Sequence, residues 1–151
     1  LRQANINPSE ATVATVASYF DENIERFDKF TLAYIECALW STNDESNEQG
    51  GDPLDENYGP EDIAAETLET MLTDCKRFQK ENADDIANGK DHLAYTQNNV
   101  YAGHDFWLTR NGHGCGFWDG DWKEPAGERL TKASEAFGEV DLYIGDDGLI
   151  Y

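Results

Sequence analysis

No apolar run in this sequence approaches the roughly 20 residues that a bilayer-spanning helix needs, so none is expected here. No signal peptide is visible either. Cysteine is scarce. Cys37, Cys75 and Cys115 are far apart, odd in number and form no CxxC pair. Buried, reduced thiols of an intracellular protein suit that pattern better than a disulfide framework. Basic residues are few beside acidic ones, with 11 Lys and Arg against 31 Asp and Glu and a formal charge of −20. That balance argues against direct binding to DNA, RNA or anionic membrane, because contact would add repulsion instead of releasing counterions. Three readings of the acid remain: halophilic adaptation, divalent-cation binding, or a basic partner surface.

The usual catalytic signatures are missing too. There is no GxSxG motif, no Gly-Lys-Ser/Thr phosphate loop and no dinucleotide fingerprint after a strand. A calcium loop beginning at Asp44 fails, because Gln49 stands where Gly is needed and Asp55 where a bidentate Glu is wanted. No cofactor or metal is expected.

What is present is aromatic. Seven Phe, seven Tyr and four Trp in 151 residues can close a core despite an apolar fraction of only 39%. The length fits one domain. Helical spacing follows Pro8-Ser9-Glu10 as far as Phe20, with Asp21-Glu22-Asn23 ending or interrupting it. A nearly all-apolar helix, hence a central one, is expected from Asp28 to Trp40. Within it Glu36 needs a partner, and Arg110 is the expected one. Ser41 to Asp62 holds eight acidic residues, no Lys or Arg, and Gly and Pro punctuation. It reads as a long, solvated acidic loop at about 41–60.

The clearest helix is Glu61 to Asn82, with Leu68, Met71, Leu72, Cys75 and Phe78 on one stripe and Lys76, Arg77 and Lys80 near its negative end. Ala83 to Asn99 looks irregular. Residues 104–119 place Asn111-Gly112 between two aromatic-rich runs, a strong β-hairpin signal. Gly127 to Phe137 reads as a helix, Glu139 to Ile144 as a strand, Asp146-Asp147-Gly148 as a turn, and Leu149 to Tyr151 as a closing strand. The expected class is therefore α+β, with N-terminal helices packed on a small antiparallel sheet.

The hairpin register pairs Arg110 with His113, Leu108 with Cys115 and Phe106 with Phe117, and sets Trp107 across from Gly116. His104 and His113 then stand about 20 Å apart, too far to share a zinc with Cys115 and Asp119. His113 and Cys115 share a face, so an enzyme or metal protein centred on them, with Glu36 or Asp119, is one alternative.

The segments TLAYIECALWS, DPLDENY, EDIAAETL, AGHDFWLTRNGHGCGFWD and VDLYIGDDGLIY resemble a family of small acidic proteins of bacterial viruses and prophages. The resemblance implies a viral gene product in the bacterial host cytoplasm, and no catalytic residue. In that setting, Asp44, Glu45, Glu48, Asp52, Asp55, Glu56, Glu61, Asp62, Glu139, Asp146 and Asp147 form the expected partner-binding acidic surface. Its expected partner is the basic, nucleic-acid-binding surface of a host protein, inhibited or regulated by mimicry of nucleic acid. A non-catalytic accessory viral protein is the remaining alternative.

Overall fold

The structure is a computed structural model that describes residues 17–46, 48, 50–90 and 95–151. Most of the helix expected after Pro8 lies outside those residues. It does not run unbroken to Phe20: Ser18 is extended and caps a separate short helix, α1 (Tyr19–Glu22), its hydroxyl accepting from the Asp21 amide at 3.0 Å. A 3₁₀ turn, Ile24–Arg26, leads on to α2 (Lys29–Ser41). Asp28 caps α2 by accepting from the Thr31 amide at 2.9 Å and the Thr31 hydroxyl at 2.7 Å. The helix is buried on nearly every side, as its composition predicts. Phe30, Tyr34, Ile35, Cys37 and Leu39 all lie inside.

The acidic stretch after α2 is largely exposed and carries a few backbone bonds of its own. Thr42 and Asp44 bond to Leu54 and Asp52 around an isolated Asn43–Pro53 bridge, and Leu54 is buried. Two 3₁₀ turns follow, Leu54–Glu56 and Pro60–Asp62. Then comes α3 (Ala65–Glu81), with Leu68, Met71, Cys75 and Phe78 inward at steps of three and four. It starts later than Glu61 because Ile63 and Ala64 are extended and committed elsewhere. The Ala64 amide donates to the Ile150 carbonyl and the Ile150 amide to the Asp62 carbonyl, both at 2.8 Å.

The expected antiparallel sheet is absent among the described residues, so the α+β assignment is overturned: the protein is mostly helical. Part of the segment read as irregular forms α4 (Ala83–Asn88), and the expected hairpin begins inside α5 (Tyr95–Arg110). Asn111-Gly112 does turn the chain, but as a helix terminator. Gly112 has φ 69°, its amide donates to the Thr109 carbonyl at 3.2 Å, and the His113 amide donates to the Leu108 carbonyl at 3.0 Å. That double bond past a left-handed Gly is a Schellman cap. Both structures need positive φ after an apolar run, and here the preceding run is buried all round. Phe106, Trp107, Leu108, Thr109 and Arg110 are all inside, so no period distinguishes helix from strand.

The hairpin pairings fall with it. Phe117 packs against Phe78 and Trp122, with ring centroids 5.8 and 5.1 Å away. Trp107 sets its edge to Tyr34 and donates to the Ser41 hydroxyl at 2.8 Å. Helices α2 and α5 pack closely because residue 103 is Gly. A β-carbon there would fall on the Phe30 carbonyl oxygen.

The last helix, α6 (Ala126–Glu135), buries Leu130 and Ser134. The C-terminal strands reduce to isolated bridges, Ile144–Ile150 and Ile63–Ile150, around the expected turn at Gly148, φ 82°. At the centre Phe78 stacks on Phe106 at 4.2 Å, and Phe137 meets Phe106 edge-on at 5.0 Å.

Arg110 closes the core. It pairs with Asp74 at 2.9 Å, donates to the Tyr34 hydroxyl, and holds the carbonyls of Phe137 and Gly138. The expected Glu36–Arg110 pair is therefore not formed. Glu36 is exposed on α2, with His104 Nε2 at 3.6 Å.

Candidate acidic binding cleft

The guanidinium of Arg110 fixes where the C-terminal segment leaves α6, and a concavity lies beside that segment. The Gly138 carbonyl accepts from Arg110 Nε at 2.7 Å, and the Val140 amide donates to Asn111 Oδ1 at 2.9 Å. Residues 139–144 are thereby laid beside the acidic loop that follows α2. Between them is a cleft of about 650 Å³. Leu54, Trp107, Val140, Leu142 and Ile144 supply its apolar surface, and Asp44, Glu45, Glu139 and Asp141 its carboxylates. His113, at the Schellman cap of α5, also lines it, and among the described residues no Lys or Arg does.

The carboxylates are not equivalent. Asp44 is almost inaccessible and is spent on its own loop, accepting from the Ser46 amide at 2.8 Å and the Ser46 hydroxyl at 2.6 Å. Those bonds hold its carboxyl below the usual range. Glu45, Glu139 and Asp141 are exposed and free to meet a ligand. The other expected surface residues are divided. Glu48, Asp52, Asp55, Glu56 and Glu61 are exposed but do not line the cleft. Asp62 turns back to accept from the Gly59 amide at 2.9 Å.

Asp146 and Asp147 lie on the C-terminal turn beside a shallower depression of about 560 Å³, which shares Tyr143 and Ile144 with the cleft. Asp147 accepts from the Leu149 amide and from the Tyr151 hydroxyl, which lowers its own pKa and raises the phenol to about 12. On the other flank a hollow of about 230 Å³ shares Val140, Asp141 and Leu142 with the cleft and adds Glu66 and Asp74. The C-terminal segment is thus bordered by carboxylates along its length. By contrast, Arg26 and Lys76 line a separate depression with Asp28.

Of the residues of the alternative centre, Cys115 is exposed and does not line the cleft that His113 lines, and Glu36 has His104 Nε2 at 3.6 Å. Partial desolvation and the carboxylates of Asp119 and Asp105 push the Cys115 thiol up. Asp119 itself accepts from the Gly116 and Asp121 amides as a turn residue. Among the described residues no group of three or more His, Cys, Asp or Glu could hold a metal ion. Cys37 and Cys75 are buried, as expected for structural thiols, with Cys37 pushed up to about 12.

Sequence reasoning missed Trp107, Leu54 and Asn111 as cleft residues, because they come from segments whose meeting has no local signal. Tyr143, exposed at 61%, was hidden as one position in an expected strand. Comparison with family models, with curated proteins and with solved structures gives no match to this chain. Among the described residues no helix is long and apolar enough to cross a membrane.

Proposed function

We propose that the protein is a binding protein that presents this acidic face to a cation-rich protein surface. Convergence carries the reading. Residues 30–75 contain twelve acidic residues and 133–151 contain five, with no Lys or Arg in either stretch. They are distant in sequence, yet they meet at Ile150 with Asp62 and Ala64 and again across the cleft. One-signed charge on a concave surface with apolar patches focuses the field and speeds capture of an oppositely charged partner. Exposed Tyr143 beside the carboxylates offers an aromatic anchor of the kind that dominates binding energy.

The partner class best suited to such a face is a nucleic-acid-binding protein of a bacterial host, whose groove the carboxylates would fill in place of phosphates. Inhibition or regulation of that protein follows directly from blocking its groove. The setting is the bacterial cytoplasm implied by the resemblance to viral proteins.

The test is a pull-down from bacterial lysate through a salt series, with excess duplex DNA as competitor. Retention of a DNA- or RNA-acting protein, released both by salt and by DNA, is the expected result. Retention that DNA does not disturb would remove mimicry, and retention of nothing at low salt would remove the binding reading altogether.

A further inference from the structure

The C-terminal ribbon has one closed edge and one open edge. Tyr143 and Tyr151 exchange both backbone bonds, at 2.9 and 2.8 Å, and the Gly145 amide donates to the Leu149 carbonyl at 2.8 Å. In an antiparallel ladder the residues between such pairs point their peptide groups away from the partner strand. Ile150 therefore points outward on one side, where Asp62 and Ala64 take up its amide and carbonyl. Ile144 points outward on the other side, and there, among the described residues, nothing bonds to its amide or its carbonyl. The same holds for Leu142. Both residues line the acidic cleft.

The second segment lining the cleft repeats the pattern. Around the Asn43–Pro53 bridge the bonds run from Leu54 to Thr42 and from Asp44 to Asp52, so the amide and carbonyl of Asn43 face away from that ladder. Asn43 also lines the cleft.

We infer that the cleft binds an extended, lysine- or arginine-bearing peptide segment of the partner, which adds as a strand to the open edge at Leu142 and Ile144. This rests on the proposed binding function and names the form its partner takes. Strand addition needs unpaired backbone groups for affinity and side-chain complementarity for specificity. The edge supplies the first. Glu45, Glu139 and Asp141 supply the second, since only a cationic strand is favoured beside them. The same charges tell against a second copy of this chain as the occupant, because a molecule of net charge −20 repels itself. Charged flanks on a free edge are also how proteins keep such edges from pairing indiscriminately.

The probe is a capped peptide of about ten residues alternating Lys and Thr, long enough to cross the cleft in extended form. It is compared with two versions of equal charge, N-methylated at every second amide in one phase or the other. Binding to the full chain is measured at low salt, together with hydrogen exchange of the Leu142 and Ile144 amides. The expected result is binding by the unmodified peptide with protection of both amides, and weakening by about fivefold or more for each bond that methylation in the pairing phase removes. The unaltered protein is used throughout, so a variant's failure to fold cannot confuse the outcome.

Equal binding of all three peptides without protection would overturn strand addition and leave the acidic surface standing. Failure of every peptide, while a folded DNA-binding protein is still retained in the pull-down, would likewise overturn it. Failure of every cationic partner would remove both proposals together.

Discussion

Around Phe106 the protein encloses a single guanidinium and satisfies it with a carboxylate, a phenol and two carbonyls. Around Ile144 it does the reverse. The chain is extended, the carboxylates of Glu139, Asp141, Asp146 and Asp147 are exposed, and one edge of the backbone is unbonded among the described residues. The two regions are joined through Arg110, whose bonds to Phe137 and Gly138 set the start of the acidic segment. The difference separates two kinds of cost. In the interior an unpaired polar group is penalised by lost hydration, and the Arg110 guanidinium is given its partners there. At the rim water supplies the partner, so charge and free peptide groups persist until a ligand replaces the water.

The hardest blow to this division is the loss of its link. Arg110→Leu leaves Asp74 and the two carbonyls without their donor and should destabilise the fold by about 3–5 kcal/mol, read from urea unfolding. Hydrogen exchange should quicken first in 139–151. Quickening first in α2 instead would mean that Arg110 serves the bundle and not the rim.

A smaller effect tests the closeness of the interior. Gly103→Ala drives a methyl group onto the Phe30 carbonyl and should cost about 1–3 kcal/mol in the same assay. Binding by the rim should be unchanged once the variant is folded. A neutral result would show that α2 and α5 can separate without penalty.

Asp105 lies between the two regimes. Burial raises its carboxyl to about 6, although Trp122 Nε1 donates to it at 2.7 Å. A carboxyl whose folded pKa exceeds its unfolded value binds more protons when folded. Its contribution is present below about pH 4 and is lost as pH rises through about 6. Asp105→Asn keeps an acceptor for Trp122 and should flatten that slope, raising stability at pH 8 by about 1–2 kcal/mol relative to the parent. An unchanged slope between pH 4 and 7 would show that the site is wetter than its burial implies. Exposed Glu69 acts in the opposite sense. Arg26 and Tyr19 hold its pKa down at about 2, so its contribution fades as acid approaches that value.

The smallest effect on folding should come from the rim itself. Replacing Glu45, Glu139 and Asp141 by their amides should change stability by no more than about 0.5 kcal/mol per site, toward greater stability at low salt as self-repulsion eases. The same variant should lose most of its affinity for a cationic partner. A large loss of stability would mean that these carboxylates hold the fold and are not available for binding.

Much of the bundle is legible in the sequence. The Asp28 cap, the all-apolar α2 and the stripe through Leu68, Met71, Cys75 and Phe78 are local patterns, and the structure keeps them. The hairpin at 104–119 is the instructive failure. Asn111-Gly112 has the same backbone preference in a β-turn and in a helix cap, and a segment buried on all sides carries no period. As a helix it packs Phe106 on Phe78 and sets Gly103 against Phe30, contacts that no local pattern announces.

The candidate site divides in the same way. Charge and its clustering are properties of composition, so the acidic character of 44–62 and 135–147 was determined by the sequence itself. Which carboxylates are spent on their own turns, as Asp44 and Asp62 are, and which face the cleft depends on bonds that no local pattern announces. Likewise, the ribbon is closed at Ile150 by Asp62 and Ala64, and among the described residues nothing bonds to the opposite edge at Ile144. Local sequence sets propensity and charge, whereas a cleft needs segments about a hundred residues apart to meet, and only tertiary packing brings them together.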